Sequence, residues 1–236
     1  MKRNLLVVST STIHGSPYLS YIMSEVQDFF RDVDEIIFIP YARPSGVSWE
    51  SYSAKAAAAF AEAGMNLRGL ETFADPVAAI REAKGVFTGG GNTFVLLKEL
   101  YDSGVLDVLR HKILDGMPYM GTSAGSNITG MTIGTTNDMP IVYPPSFEAL
   151  GVLPVNINPH YLDPDPDSKH MGETRETRIF EFHTMNNQPV IGLREGSWLE
   201  IRNEKALLKG ALPARLFSQG KDPEELSPNT DISFLL

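Results

Sequence analysis

Four short and almost wholly apolar runs recur in the first 121 residues of this chain, at 5–8 (LLVV), 36–39 (IIFI), 85–88 (GVFT) and 118–121 (PYMG), with helix-like stretches between them. A strand that is apolar along its whole length is covered on both faces. Strands that alternate with helices form parallel sheets, because each helix supplies the crossover that a parallel pair requires. The helices read from the same pattern. Residues 18–30 carry Leu19, Ile22, Met23, Val26, Phe29 and Phe30 at helical spacing, residues 53–62 are rich in alanine, and segments 76–83 and 93–115 follow, the last broken near Gly104. The expected fold is an α/β three-layer sandwich around a mostly parallel sheet, in which ligands bind at the carboxyl ends of the strands.

Beyond Gly130 the pattern changes. Residues 132–145 are polar and marked by proline, 152–158 read as a strand and 173–182 as a helix, and 190–193, 198–201 and 215–217 read as strands of a small antiparallel extension. The tail beyond Lys221 gives no clear element. No linker or internal repeat divides the 236 residues, so residues 1–236 are expected to form a single catalytic domain.

Composition narrows the function. The 29 acidic residues outnumber the 20 basic ones for a net charge of -9, which disfavours a footprint on phosphate backbones and argues against a nucleic-acid partner. There is no cysteine, so disulfides, thiolate metal sites and a cysteine nucleophile are excluded, and serine chemistry without metal or cofactor is the main covalent option. The N-terminal run 5–8 is too short for a signal-peptide core, and no other apolar run is long enough for a membrane; a soluble cytoplasmic protein is the expectation.

The run 118–121 leads straight into Gly121-Thr122-Ser123-Ala124-Gly125, a GxSxG pattern at a strand-to-helix turn. A serine there is held at a strained backbone position with its hydroxyl clear of the sheet, beside unpaired helix N–H groups that can stabilise an oxyanion. The plain alternative is an ordinary glycine-rich loop. A nucleophilic serine needs a base, and there are five histidines. His111 and His183 sit on helical segments as solvated or packing residues, His14 lies in the loop after the first strand, close enough to the carboxyl end of the sheet to line a pocket but with nothing local to support it, and His170 is the fifth. His160 follows Pro159 at the end of a strand, where a rigid backbone can aim it. The base needs an acceptor in turn, and both Asp138 and Glu195 are open. Glu195 directly follows the strand 190–193 and precedes a glycine, whereas Asp138 can equally cap a turn. The order Ser, His, Glu also differs from the α/β-hydrolase order, in which the acid precedes the histidine. A second glycine cluster, Gly89-Gly90-Gly91-Asn92, fails as a dinucleotide fingerprint because Phe94 stands where the third glycine belongs, and it lacks the ending of a phosphate-binding loop. Its amides are candidates to complete an oxyanion hole with that of Ala124.

At these residues the chain resembles the peptidase E family of aspartyl dipeptidases, serine hydrolases with a fold related to class I glutamine amidotransferases. The blocks that carry the resemblance are GGGNTF at 89–94, GTSAGSN at 121–127, TTNDMPIV at 135–142, INPHY at 157–161, GETRETRI at 172–179 and REGSW at 194–198, in family order over roughly residues 4–217. The resemblance implies Ser123 as nucleophile, His160 as general base, Glu195 as the third member, and Gly91 and Ala124 as oxyanion donors. It implies a dipeptide substrate with an N-terminal aspartate, bound with the help of Arg175, Asn92 and Asp138, by a monomer or homodimer. Arg175 and Arg178, three apart, share a helix face and are the local candidates to hold the aspartate carboxylate, against a plain reading as surface ion pairs with Glu173 or Glu176. Arg194 departs from the proline that the family carries at that place, which alters the pose expected of Glu195. The alternatives are a cyanophycinase-like hydrolase of β-aspartyl-arginine peptides and a binding domain that kept the scaffold without catalysis.

Overall fold

The computed structural model describes residues 2–44, 46–167, 169 and 171–236, so His170 lies outside the described residues. Its main sheet has seven strands in the order β3-β2-β4-β5-β1-β8-β9. The first five are β1 (Lys2–Val8), β2 (Ile36–Ile39), β3 (Leu67–Gly69), β4 (Val86–Thr88) and β5 (Asp115–Thr122), and they pair with one another in parallel. Alternate side chains of one strand point to opposite faces. Accordingly Leu5, Val7, Ile37, Ile39, Val86 and Tyr119 fall in one buried cluster, and Leu6, Val8, Ile36, Phe38, Phe87 and Met120 in another. The first cluster is covered by α3 (Pro76–Glu82), α4 (Thr93–Asp102) and α5 (Val105–Leu114), the second by α1 (Met23–Phe29) and α2 (Trp49–Glu62). These are the three layers that the apolar runs require. The break near Gly104 is real: Gly104, at φ 70, separates α4 from α5.

Helix α1 is shorter than the apolar pattern of 18–30 suggests. Leu19 takes a left-handed backbone at φ 57, and its N–H donates to Ser11 O at 2.7 Å, so Leu19 and Ile22 are buried from a turn rather than from a helix. The strand expected at 152–158 is confined to β6 (Asn156–Pro159), with Val152, Leu153 and Val155 buried in the irregular segment before it.

The antiparallel extension divides in two. Strands β8 (Ser197–Arg202) and β9 (Lys205–Gly210) continue the main sheet beyond β1 in antiparallel sense. Strand β7 (Val190–Leu193) belongs instead to a second, mixed sheet, β11-β10-β7-β6, completed by β10 (Ala214–Phe217) and β11 (Glu224–Leu226). There β6 and β7 run parallel, and α7 (Arg175–Met185) covers one face through Ile179 and Phe182 against Tyr161, Val190 and Phe217. The tail beyond Lys221 is thus part of the fold. It supplies β11, and it buries Leu226 and Ile232 in the main cluster. Among the described residues no helix is long and apolar enough to cross a membrane.

Candidate active site

At the carboxyl end of β5 the chain turns through Ser123 into α6 (Ala124–Asn127). Ser123 has φ 53 and ψ -111, a conformation that costs a non-glycine residue on the order of 1–3 kcal/mol and persists only where its surroundings impose it. Three bonds do so. The Ser123 N–H donates to Val8 O at 3.1 Å, and the buried Ser126 hydroxyl lies 2.7 Å from both Val8 O and Gly121 O, tying the turn to the end of β1 and to β5. The flanking glycines make the turn sterically feasible. A Cβ on Gly121 would strike the carbonyl of Gly125, and one on Gly125 would strike that of Thr88 in β4, so α6 presses directly on the sheet. The Ser123 hydroxyl caps nothing and is left available.

The end of β1 also carries the histidine. Ser9, fully buried, accepts from the His160 N–H at 3.0 Å and donates to Leu193 O at 2.8 Å, so one hydroxyl joins the ends of β1, β6 and β7. His160 has φ 53, directly after Pro159, and its Nδ1 lies 2.7 Å from Glu195 Oε1. Glu195 occupies the turn between β7 and β8, the point at which the chain passes from the second sheet to the main one. The carboxylate on Nδ1 leaves Nε2 as the ring nitrogen that can serve an incoming proton. Among the described residues no hydrogen bond joins Ser123 Oγ directly to His160, an arrangement common in unliganded serine hydrolases, whose catalytic bonds tighten when substrate is bound. Ser9 had no signal in the sequence beyond its place after an apolar strand. Ser9→Ala takes the acceptor from the His160 N–H, while Leu193 O keeps the Tyr161 N–H at 2.9 Å, and should lower the unfolding free energy by about 1–2 kcal/mol in a urea titration.

The glycine turn after β4 lies against the serine. A Cβ on Gly90 would come within 2.9 Å of Ser123 Cβ. Gly91 has φ 148 and would strike Ala42 O with any side chain, so only glycine fits there. The neighbouring amides are occupied: Gly89 N–H donates to Ile39 O, Gly90 N–H to Tyr52 Oη, and Asn92 N–H to Ala42 O. No hydrogen bond among the described residues takes up the N–H of Gly91 or of Ala124. Asn92 caps α4 through Oδ1 on Val95 N–H, while its Nδ2 donates to Met139 O. Its side chain is therefore engaged in holding the turn.

Asp138 partners α4 rather than His160. Its Oδ2 accepts from the Thr93 N–H and Thr93 hydroxyl, both at 2.7 Å, and from Thr136 Oγ1 at 3.2 Å. The loop that presents it is laid along β6 by asparagine and threonine side chains. Asn158 Nδ2 donates to Thr135 O, Asn137 Nδ2 to Pro159 O, and Thr135 Oγ1 to Ile157 O. The TTND and INPHY blocks are thus two halves of one structure.

Of the two arginines at the start of α7, Arg178 pairs with Glu173 at 3.8 Å, and Glu176 pairs with Arg215 at 3.0 Å. Arg175 makes no ion pair among the described residues, and its Nε is buried without a partner. Burial and the neighbouring Arg178 push its guanidinium below the usual arginine range, partly offset by the charge of Asp138. It borders a cavity of about 390 Å³ lined by Leu162, Asp163, Thr174 and Arg178 among others. A half-buried guanidinium that borders open space, with its Nε unpartnered, is a site for an anion. The remaining described histidines stand apart: His111 Nδ1 contacts Asp107 O within α5, His183 Nε2 contacts Gln188 O, and His14 is exposed in the loop after β1.

With this geometry in hand, comparison with known proteins gives concordant results. The sequence model of peptidase family S51 matches residues 5–209. The chain is 48% identical over 233 residues to a protein named "Peptidase E" from Streptomyces coelicolor, covering 99% of this chain and 95% of the relative. It is 47% identical over 237 residues to "Probable alpha-aspartyl dipeptidase" of Drosophila melanogaster, covering 99% and 98%. The crystal structure of a peptidase from an acI-B1 actinobacterium superposes with a TM-score of 0.75 at 17% identity, over 99% of this chain and 98% of the other, and so shares the fold.

Proposed function

Since this chain belongs to peptidase family S51, we propose that it is a serine dipeptidase that cleaves dipeptides after an N-terminal aspartate. The observation that carries this reading is a strained, unencumbered serine beside amides that no hydrogen bond among the described residues takes up; Asp138, bonded to the start of α4, links it to the half-buried Arg175, which makes no ion pair among the described residues but feels the Asp138 charge.

In the proposed mechanism Ser123 Oγ attacks the aspartyl carbonyl carbon while His160 Nε2 takes the hydroxyl proton. Glu195, on Nδ1, fixes the tautomer and offsets the charge of the imidazolium. The oxygen of the tetrahedral intermediate is held by the N–H groups of Gly91 and Ala124, which flanking hydrogen bonds fix in advance of the reaction. When the carbon–nitrogen bond breaks, His160 returns the proton to the leaving amino group. Water, deprotonated by the same ring, then releases aspartate from the acyl-enzyme.

Specificity follows from charge. The substrate's side-chain carboxylate meets Arg175, and its free ammonium meets Asp138, which lies close enough to Arg175 for their charges to interact. Asn92 contributes by holding the segment at Met139, next to Asp138, in place. The reading is tested by hydrolysis of Asp-Leu, Leu-Leu and isoAsp-Leu side by side, with free aspartate as the readout.

A further inference from the structure

Arg194 stands immediately before Glu195, and its guanidinium uses all five of its N–H donors. Nε and Nη2 donate to the two oxygens of Asp163 at 2.8 and 2.6 Å. Nη1 and Nη2 donate to the two oxygens of Glu225 at 3.0 and 2.8 Å, and the remaining Nη1 hydrogen goes to Pro213 O at 2.8 Å. The side chain is 13% exposed although both carboxylates are about half open to solvent, so this is an enclosed fork rather than a loose surface pair. It also lies over the ring of Tyr161, 5.5 Å from the centroid, and Tyr161 donates its N–H to Leu193 O.

The partners of the fork are placed on both sides of the catalytic pair. Tyr161 and Asp163 are the first and third residues after His160, whereas Arg194 adjoins Glu195. Glu225 comes from β11, which lies outside residues 5–209 of the family match. Arg215 extends the cluster, 3.7 Å from Asp163, 3.8 Å from Glu225 and 3.0 Å from Glu176, the neighbour of Arg175. Arg194 itself holds the Asp163 carboxyl below the usual aspartate range.

We infer that Arg194 is a positioning residue, whose guanidinium, gripped by Asp163 and by Glu225 of the C-terminal strand, sets the Glu195 turn at the correct distance from His160. The inference rests on the reading of His160 and Glu195 as the general-base pair. It gives the C-terminal strand a part in catalysis, although it contributes no group that touches substrate.

The test compares Arg194→Met, Arg194→Lys and Glu225→Gln with Glu195→Gln as reference, measuring fluorophosphonate labelling of Ser123 per folded molecule, kcat and KM on Asp-Leu, and the melting temperature. Displacement of a catalytic group by ~1 Å costs about 10²-fold, so Arg194→Met should slow labelling and kcat by about 10- to 100-fold with KM moved less than about threefold. Arg194→Lys, which keeps the charge but not the fork, should recover part of the loss, and Glu225→Gln should fall between. If Arg194→Met melts lower but labels at the wild-type rate, Arg194 is only a structural staple and the inference is overturned. Should Arg194→Met fail to fold, Glu225→Gln decides by the same labelling and kcat readouts. If Glu195→Gln also labels at the wild-type rate, the general-base pair itself is misassigned and the inference falls with it; slow labelling in Glu195→Gln alone removes only the role of Arg194.

Discussion

Replacing Ser123 by alanine should lower the turnover of Asp-Leu by about 10⁴- to 10⁶-fold, the loss seen when a serine hydrolase is deprived of its nucleophile. The melting temperature should stay where it is. The Ser123 hydroxyl caps no helix, so its removal strands no buried partner, and the turn is held by the Ser123 N–H and by Ser126, both retained in the variant. Alanine at φ 53 bears much the same backbone cost as serine. Steady-state kinetics and a thermal melt on the same sample therefore separate chemistry from folding. Turnover within tenfold of the wild type would exclude Ser123 as the nucleophile.

The second large effect is expected at Arg175. Truncating one member of a buried, hydrogen-bonded charge pair costs about 2–5 kcal/mol, so Arg175→Met should reduce kcat/KM on Asp-Leu by about 10²- to 10³-fold. With Asn-Leu, which has the same shape without the charge, wild type and variant should differ little, because the interaction removed is the one between guanidinium and carboxylate. The stability effect has the opposite sign to that of an ordinary buried arginine. In the free protein Arg175 is desolvated, repelled by Arg178 and unpaired at Nε, so methionine relieves a cost and the melting temperature should not fall. Equal losses on Asp-Leu and Asn-Leu would show that Arg175 shapes the pocket and does not read the charge.

Much of this arrangement is legible in the sequence, for identifiable reasons. The central strands are buried on both faces, and such strands advertise themselves as continuous apolar runs; the run 36–39 coincides with β2 residue for residue. Edge strands carry no such mark. β3 (LRG) and β11 (EEL) are short and polar, and β9 (KALLKG) has lysines on either side of three apolar residues, so none stands out from a loop. The same holds for the tail: the polar β11 pairs with β10 in a hairpin, and the burial of Ile232, whose N–H donates to Ala206 O, is a long-range event. At the site, the GxSxG turn is local and its glycines declare it. The choice between Asp138 and Glu195 is not local. The structure gives Glu195 to His160, and Asp138 to Thr93 at the start of α4, 45 residues away, a partner that the reading of Asp138 as capping a turn does not name. Ser9 and Arg194 act across separations of 151 and 31 residues: Ser9 lies in no motif, and the block 194–198 that contains Arg194 does not name its partners.

A serine dipeptidase with this site is selective for an N-terminal α-linked aspartate. The most direct test is the ratio of kcat/KM for Asp-Leu to that for isoAsp-Leu and for Leu-Leu, measured on one preparation. Asp-Leu should be preferred over both by about 10²-fold or more, since one competitor moves the scissile carbonyl away from Ser123 and the other leaves Arg175 unpaired. Equal or faster release of aspartate from isoAsp-Leu would contradict this selectivity and favour a β-aspartyl hydrolase on the same scaffold.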